Sequence, residues 1–329
     1  MIPPAGAPRF LDACGWSGAA ILPLAGDASF RRYFRVVDGA RRAVLMDAPP
    51  PHEDPRPFIA VDGWLVKHGF AAPTILGSDL EHGLVLLEDF GDCRVREHVD
   101  ENAGEEEGVY RRAVDLLAAL HSVPAADLPP YDREVYQREA GLLTEWYCPA
   151  AGLDVDAAGY AAVWDAVLPL VERDTGAGVT VLRDYHAENI MILEDGAHSF
   201  GLGLLDFQDA LTGHPAYDLV SLLQDARRDV DPALEAAMLA RYRAKAGTSA
   251  DFDAAYAILG AQRNAKIIGI FTRLWKRDGK PRYLHFLPRM WGLLERDLAH
   301  PALACVKEWF DANVPPEHRH QALAHMAAE

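Results

Sequence analysis

The 329-residue chain is poor in cysteine and in positive charge. Its four cysteines, Cys14, Cys93, Cys148 and Cys305, lie far apart and form no C-x-x-C pair. That spacing excludes the usual zinc-ligand and disulfide-scaffold patterns and implies a reducing, cytoplasmic setting. Lys and Arg number 32 against 49 Asp and Glu, a formal charge of −17. Such a surface repels phosphate backbones and anionic lipid, so neither a nucleic acid nor a membrane surface is an expected partner. No apolar run approaches the ~20 residues of a membrane helix. The opening Met1-Ile2-Pro3-Pro4-Ala5-Gly6 lacks the basic-then-apolar order of a secretory signal. Two common nucleotide motifs are missing as well. Gly279-Lys280 has neither the upstream glycine nor the following Ser or Thr of a P-loop, and Gly201-Leu202-Gly203 meets Asp206 where a dinucleotide fingerprint needs its third glycine. The charge balance leaves a standing requirement: a chain this acidic that handles an anionic substrate must supply a cation locally.

Half of the residues are hydrophobic and 25% are charged, enough for a large core without staples. The first ninety or so residues read as mostly strand. Ala19 to Leu24, Arg32 to Val37 and Ala43 to Met46 are short strand patterns, with turn chemistry at Gly26-Asp27-Ala28-Ser29 and a hairpin signal at Asp38-Gly39. Phe58, Ile59, Val61, Leu65 and Val66 predict an amphipathic helix ending near Gly69, and Ile75 to Ser78 with Leu84 to Leu87 predict a second hairpin. Beyond Phe90-Gly91-Asp92 the patterns are helical, except for one β-like island at Thr180 to Leu182, Ile190 to Leu193 and Phe200 to Leu205, with a turn at Glu194-Asp195-Gly196. The expected organisation is a β-rich lobe of residues 1–90 followed by a mainly helical lobe of residues 91–329. His318, His320 and His325 read as an exposed helix face rather than a metal site.

Chemistry concentrates in Leu182-Arg183-Asp184-Tyr185-His186-Ala187-Glu188-Asn189, where Asp and Asn stand five positions apart before an apolar strand. A second carboxylate, Asp206, ends the next strand, and the hairpin between the strands lets Asn189 and Asp206 face one another. Phosphoryl transfer needs this set: one carboxylate to take or orient the proton of the attacking hydroxyl, and two oxygen donors to hold magnesium against nucleotide phosphates. Asp184 fits the first role, Asn189 and Asp206 the second. The spacing R-D-x-x-x-x-N followed by D-F matches a kinase catalytic loop in its strand context.

On these residues the chain resembles the aminoglycoside and choline phosphotransferase family, and the likeness covers nearly its whole length. The resemblance implies an α+β, two-lobed protein-kinase-like fold with a small antiparallel sheet, and ATP and Mg2+ as cofactors. Gly26 to Val36 resembles the hairpin that covers the nucleotide phosphates, which places Ser29 and Phe30 there. Leu86-Leu87-Glu88-Asp89-Phe90-Gly91 resembles the hinge, whose backbone at Glu88 and Phe90 would bind adenine. Tyr217-Asp218-Leu219 resembles the helix start whose Asp braces the catalytic loop. More narrowly, Gly26 to Val36, Met46 to Pro50, Arg183 to Met191, Asp206 to Ala210 and Gln224 to Arg228 together resemble the anomeric N-acetylmuramate/N-acetylglucosamine kinases of cell-wall recycling, which implies transfer of the ATP γ-phosphate to the C1 hydroxyl of an amino sugar and no obligate protein partner.

One departure bears on the charge requirement. A kinase carries a Lys on its third strand, paired with a helix Glu, but here the strand reads Ala43-Val44-Leu45-Met46 and the helix offers Asp62. Arg31 and Arg32 of the covering hairpin are candidate replacements, and period-two alternation favours Arg32, on the face of Phe34 and Val36. Asp206 precedes Asp218 by only twelve positions, and no Ala-Pro-Glu follows, which leaves little chain for a peptide platform and argues for a small acceptor. Glu145, Trp146, Tyr147, Arg263 and Asn264 are candidate sugar contacts. Two other readings stand beside the sugar kinase: a kinase of another small alcohol or amine, and a nucleotide-binding pseudokinase suggested by the absent Lys.

Overall fold

Alternation in the first ninety residues is realised as an antiparallel sheet. The structure is a computed structural model and describes residues 1–26, 30–193, 196 and 198–319, with only the backbone at Ala25 and Gly26. In chain order, α1 (Ala7–Ala13) precedes β1 (Ala20–Gly26), β2 (Arg32–Asp38), β3 (Arg41–Asp47), α2 (Arg56–Lys67), β4 (Ile75–Asp79) and β5 (Leu84–Glu88). Then come α3 (Val95–Glu101), α4 (Glu106–Ser122), α5 (Arg133–Ala140), the single turn α6 (Cys148–Ala150) and α7 (Ala157–Thr175). Four three-residue strands follow: β6 (Val179–Val181), β7 (Ile190–Ile192), β8 (Leu202–Leu204) and β9 (Leu211–Gly213). The chain closes with α8 (Ala216–Leu223), α9 (Pro232–Ala246), α10 (Phe252–Lys276), α11 (Leu287–Leu298) and α12 (Ala304–Asn313).

The chain forms two compact units, one of Met1–Ala113 with Glu188–Ala210, the other of Val114–Ala187 with Leu211–Glu329. The division therefore differs from a cut at residue 90: the sheet unit extends through α3 into α4 and also owns the β7–β8 hairpin. The turn residues Asp27 to Ser29, Glu194 and Asp195, and His320 and His325, lie outside the described residues.

In the first unit the sheet order is β1-β2-β3-β5-β4. One face carries Phe34 and Val36 of β2, Ala43 and Leu45 of β3, and Leu84 and Leu86 of β5. They close a core with Ala7, Phe10 and Leu11 of α1 and with Trp16. Strict period-two alternation thus sends one face of the sheet to α1, an element that the strand-dominated reading of this region did not include. The β7–β8 hairpin pairs Ile190 with Leu204 and Ile192 with Leu202. It is tied to the same unit by the Ile192 N–H donated to the Cys93 carbonyl and the Leu204 N–H donated to the Ala71 carbonyl, both at 2.8 Å. Phe58 of α2 stacks on Phe207, with ring centroids 4.8 Å apart. Gly203 of β8 is required by close approach: a Cβ there would lie 2.6 Å from Cε2 of Phe90.

The second unit is built around α10. This 25-residue helix buries apolar and polar residues on all sides, among them Ile258, Gln262, Arg263, Asn264 and Ile268. A helix enclosed all round is a core helix, and its polar side chains must find partners inside. Asp156 and Asp231 cap α7 and α9 through side-chain bonds to the Gly159 and Ala233 N–H groups, and Gly247 ends α9 in the left-handed conformation. The pair β6–β9 is antiparallel; β9 had no strand pattern long enough to read. Among the described residues no helix is long and apolar enough to cross a membrane.

Candidate active site

The hairpin of the first unit brings Asn189 and Asp206 together. Each flanks a strand of the β7–β8 pair, and the Leu205 N–H donates to the Asn189 carbonyl at 2.9 Å. The Asn189 Nδ2 lies 3.4 Å from one Asp206 oxygen, and Gln208 donates to the other at 3.0 Å. Asp206 takes φ 57, a left-handed conformation that costs a side chain on the order of 1–2 kcal/mol and aims the carboxylate out of strand geometry. An amide oxygen and a carboxylate form a hard donor pair. Among the described residues no group of three or more His, Cys, Asp or Glu could hold a metal. The pair suits a small divalent cation that keeps waters and takes its remaining ligands from phosphates, not a closed protein cage.

Asp184 belongs to the second unit, and its loop is held from behind by α8. The Leu182 and Arg183 N–H groups donate to the two carboxylate oxygens of Asp218 at 2.7 and 2.8 Å. Burial pushes Asp218 up to about 7, against these donors. Arg183, held by this clamp, has φ 70. Its carbonyl accepts the Ser221 hydroxyl at 3.1 Å, and Ser221 in turn accepts from the Arg263 guanidinium of α10 at 2.8 Å. On the far side of Asp184, the Ala187 N–H donates to Asp225 at 3.3 Å, and Arg227 stands 3.3 Å from Nε2 of His186. Burial holds His186 below the usual imidazole range, against the pull of Asp225 and Asp184. Burial acts to raise the Asp184 carboxyl, yet His186, Lys266, Arg263 and Arg183 together hold it below the ordinary carboxylate range. Glu139 balances two of them: it pairs with Arg183 and, at 3.0 Å, with Lys266. An ionised Asp184 poised as an acceptor is what a hydroxyl nucleophile needs.

The residues expected at the nucleotide divide sharply. Ser29 lies outside the described residues. Phe30 gives its N–H to Glu53 at 3.2 Å and stacks its ring on His52. Arg32 corrects the alternation argument. Its face is the α1 face, where it pairs with Asp47, which is 2% exposed, and reaches the Ile2 carbonyl at 3.2 Å. Sharing a face with Phe34 and Val36 directs it away from Asp206. Arg31 is the hairpin arginine beside the hairpin carboxylate, 3.9 Å from Asp206 and 3.5 Å from Glu53. At the hinge, the Glu88 N–H donates to the Thr74 carbonyl at 2.9 Å, and its carboxylate accepts from Thr74 Oγ1 at 2.7 Å. The Phe90 ring lies over Gly203.

The five candidate sugar contacts also separate. Asn264 is fully buried and donates to Gln224 at 2.8 Å and to Asp297 at 3.0 Å. Tyr147 is in the core, its hydroxyl given to the His318 carbonyl and its ring edge-on to Trp291. Both are occupied by the fold, and their selection as sugar contacts is corrected: residues of a fully enclosed helix or turn point at protein. Arg263 is buried behind Asp184. Glu145 is exposed and Trp146 half-buried. Asp225 lies in the Gln224-to-Arg228 string that carries the resemblance, but no pattern in the sequence marks Ser221, Lys266 or Glu139, and only tertiary packing brings the four to the loop.

The model of the phosphotransferase enzyme family matches residues 20–257. An N-acetylmuramate/N-acetylglucosamine kinase of Caulobacter vibrioides is 38% identical, covering 94% of this chain and 96% of its own. One of Pseudomonas aeruginosa is 41% identical and covers 90% of each. Among solved structures, a putative aminoglycoside phosphotransferase from Ralstonia eutropha aligns with TM-score 0.62 at 16% identity over 94% of this chain and 98% of its own. A choline/ethanolamine kinase family protein from Mesorhizobium loti aligns with TM-score 0.60 at 14% identity over 91% and 94%. At such identities these two establish the protein-kinase-like fold alone. With the family model spanning residues 20–257 and relatives covering most of its length, the chain belongs to the phosphotransferase enzyme family and is an ATP-dependent kinase.

Proposed function

We propose that this kinase phosphorylates the anomeric C1 hydroxyl of N-acetylmuramate and N-acetylglucosamine in the recycling of peptidoglycan sugars. The observation that carries the reading is the near full-length similarity, at 38% and 41% identity, to two relatives that both bear that substrate pair in their names. The local chemistry is compatible with it. Asp206 and the start of α8 are linked through β9 alone, so no long segment is available to seat a peptide. An anomeric hydroxyl is more acidic than an ordinary alcohol, so one ionised carboxylate suffices to orient it and take its proton.

In this reading Asp184 accepts the C1 hydroxyl proton as the oxygen attacks the γ-phosphorus, and ADP leaves in line. Asn189 and Asp206 hold Mg2+, which supplies charge neutralisation at the phosphates. The backbone at Glu88 and Phe90 meets adenine. Asp218, Ser221 and Arg263 fix the loop that carries Asp184, because a misplacement of 1 Å in a reacting group costs about a hundredfold in rate. Glu145 and Trp146, which retain exposed surface, are the sugar contacts kept from the original five. The test incubates the protein with ATP, Mg2+ and a panel of amino sugars, aminoglycosides and choline, following ADP release and loss of the sugar reducing end. ADP release coupled to loss of the reducing end of the two amino sugars is expected. Release with choline or an aminoglycoside alone would overturn the substrate assignment.

A further inference from the structure

The phosphates of ATP need a cation at the third-strand position, and the basic residues of β3 and α2, Arg41, Arg42, Arg56 and Lys67, stand at the ends of those elements instead. The Lys position of the third strand is occupied by apolar residues, with Val44 and Met46 on the face opposite α1. The acid of α2 is correspondingly unpaired: Asp62 is 3% exposed, its Oδ1 has no hydrogen-bond partner, and burial beside Glu88 pushes its carboxyl up to about 7. With no cation beside it among the described residues, burial and Glu88 leave Asp62 partly protonated near neutral pH.

The register shows where a replacement comes from. Arg32 lies opposite Asp47, and Phe34 opposite Leu45, so even-numbered residues of β2 face α1. Tyr33 lies opposite Met46 on the other face, the face of the vacated Lys position. Continuing the alternation one residue back puts Arg31 on that side. There its guanidinium reaches Asp206 at 3.9 Å and Glu53 at 3.5 Å, with the side chain only 11% exposed. Its electrostatic neighbours are Tyr33, Asp206, Glu53 and Asp209, a field that holds it charged.

We propose that Arg31 is the phosphate-binding cation of this kinase, taking over the electrostatic task of the absent third-strand Lys. The inference rests on ATP use, not on which sugar is the acceptor. A guanidinium suits the task because its planar fork contacts phosphate oxygens in pairs, whereas an ammonium acts as a point charge.

The test is direct binding, with no acceptor present. Equilibrium dialysis of labelled ATP and of adenosine is run in excess EDTA and again in Mg2+, on wild type, Arg31→Gln, Arg31→Lys and Arg32→Gln. Arg31→Gln is expected to lose about 10- to 100-fold in ATP affinity in both conditions while adenosine affinity stays within twofold, and Arg31→Lys is expected to lose less. Arg32→Gln is expected to keep ATP affinity within twofold and to lower the melting temperature, because it abandons buried Asp47. ATP affinity unchanged in Arg31→Gln would overturn the proposal. So would an equal loss for adenosine, which would indicate damage to the fold, or a loss in Arg32→Gln as large as in Arg31→Gln. Failure of the amino-sugar assignment would leave these readings untouched.

Discussion

Replacing Asp218 with Asn isolates the mechanical support of the catalytic loop. The two sides of the Asp218 carboxylate accept the N–H groups of Leu182 and Arg183 at 2.7 and 2.8 Å, and the residue is completely buried. Asn has nearly the same shape but turns an NH2 group toward one of those donors. One buried N–H then loses its acceptor, at a cost of about 1–3 kcal/mol. The φ of 70 at Arg183 is no longer clamped, and the 1–2 kcal/mol stored there is free to relax the loop. Relief of that strain offsets part of the cost, so the net loss is at most about 1–3 kcal/mol, a melting temperature lower by roughly 1–4 °C for a chain of this length. Because Asp184 follows directly, a shift near 1 Å is expected to lower kcat about a hundredfold. Asp218 touches nothing expected at the nucleotide, so the affinity for ATP stays the same. The assay combines thermal unfolding, steady-state kinetics and ATP binding on one preparation. An unchanged kcat, or a parallel loss of ATP affinity, would refute the claim that Asp218 acts through the position of Asp184.

Four further outcomes follow from the same structure. Asp184→Asn is expected to abolish measurable turnover while binding ATP as the wild type does, measured by dialysis beside the kinetic assay; retained turnover would remove Asp184 from the role of base. Ser221→Ala breaks the link from Arg263 to the Arg183 carbonyl. It is expected to cost about 1 kcal/mol in stability and to lower kcat with little change in KM, and an unaltered kcat would count against the link. Gly203→Ala would set a methyl 2.6 Å from the Phe90 ring and 3.1 Å from Leu193; overpacking of about 1–3 kcal/mol and a weaker KM for ATP are expected, and an unchanged KM would deny Phe90 its hinge role. Burial holds Asp297 up to about 8. The fold therefore binds a proton that the unfolded chain has lost above its ordinary carboxyl range, near 4. Stability from this group is full below that range and declines as pH rises to about 8, by at most about 1.4 kcal/mol per unit. Asp297→Asn mimics the neutral acid, so its melting temperature is expected to gain on the wild type between pH 5 and 8. Parallel curves would contradict that.

Much of this molecule was legible in order and alternation. The strands of the main sheet, the helix α2 and the loop from Asp184 to Asn189 are local patterns, and local patterns survive folding. Less legible was anything set by which face meets which element. Alternation alone grouped Arg32 with Phe34 and Val36. That grouping is correct, but α1 covers the shared face, and α1 is a seven-residue helix preceded by Pro3, Pro4 and Gly6 that gives little periodic signal. The same knowledge reverses the choice and brings forward Arg31. Gln262-Arg263-Asn264 reads as a polar patch on a helix, yet α10 is enclosed on all sides. Gln262 there donates to the Tyr136 carbonyl at 3.1 Å, and Asn264 to Asp297. Polar residues in a sheathed helix hold the core in register, and nothing in three consecutive letters distinguishes that from a binding surface. Strand β9, with three residues, offers no period to detect.

The central claim is phosphorylation at the anomeric carbon, and 31P NMR of the product tests it most directly. The protein, ATP, Mg2+ and N-acetylglucosamine are incubated together and the new phosphomonoester is assigned by its coupling to the sugar protons. The account predicts coupling to the single anomeric proton, with no reducing end remaining. Coupling to the two C6 protons, with the reducing end intact, would contradict it.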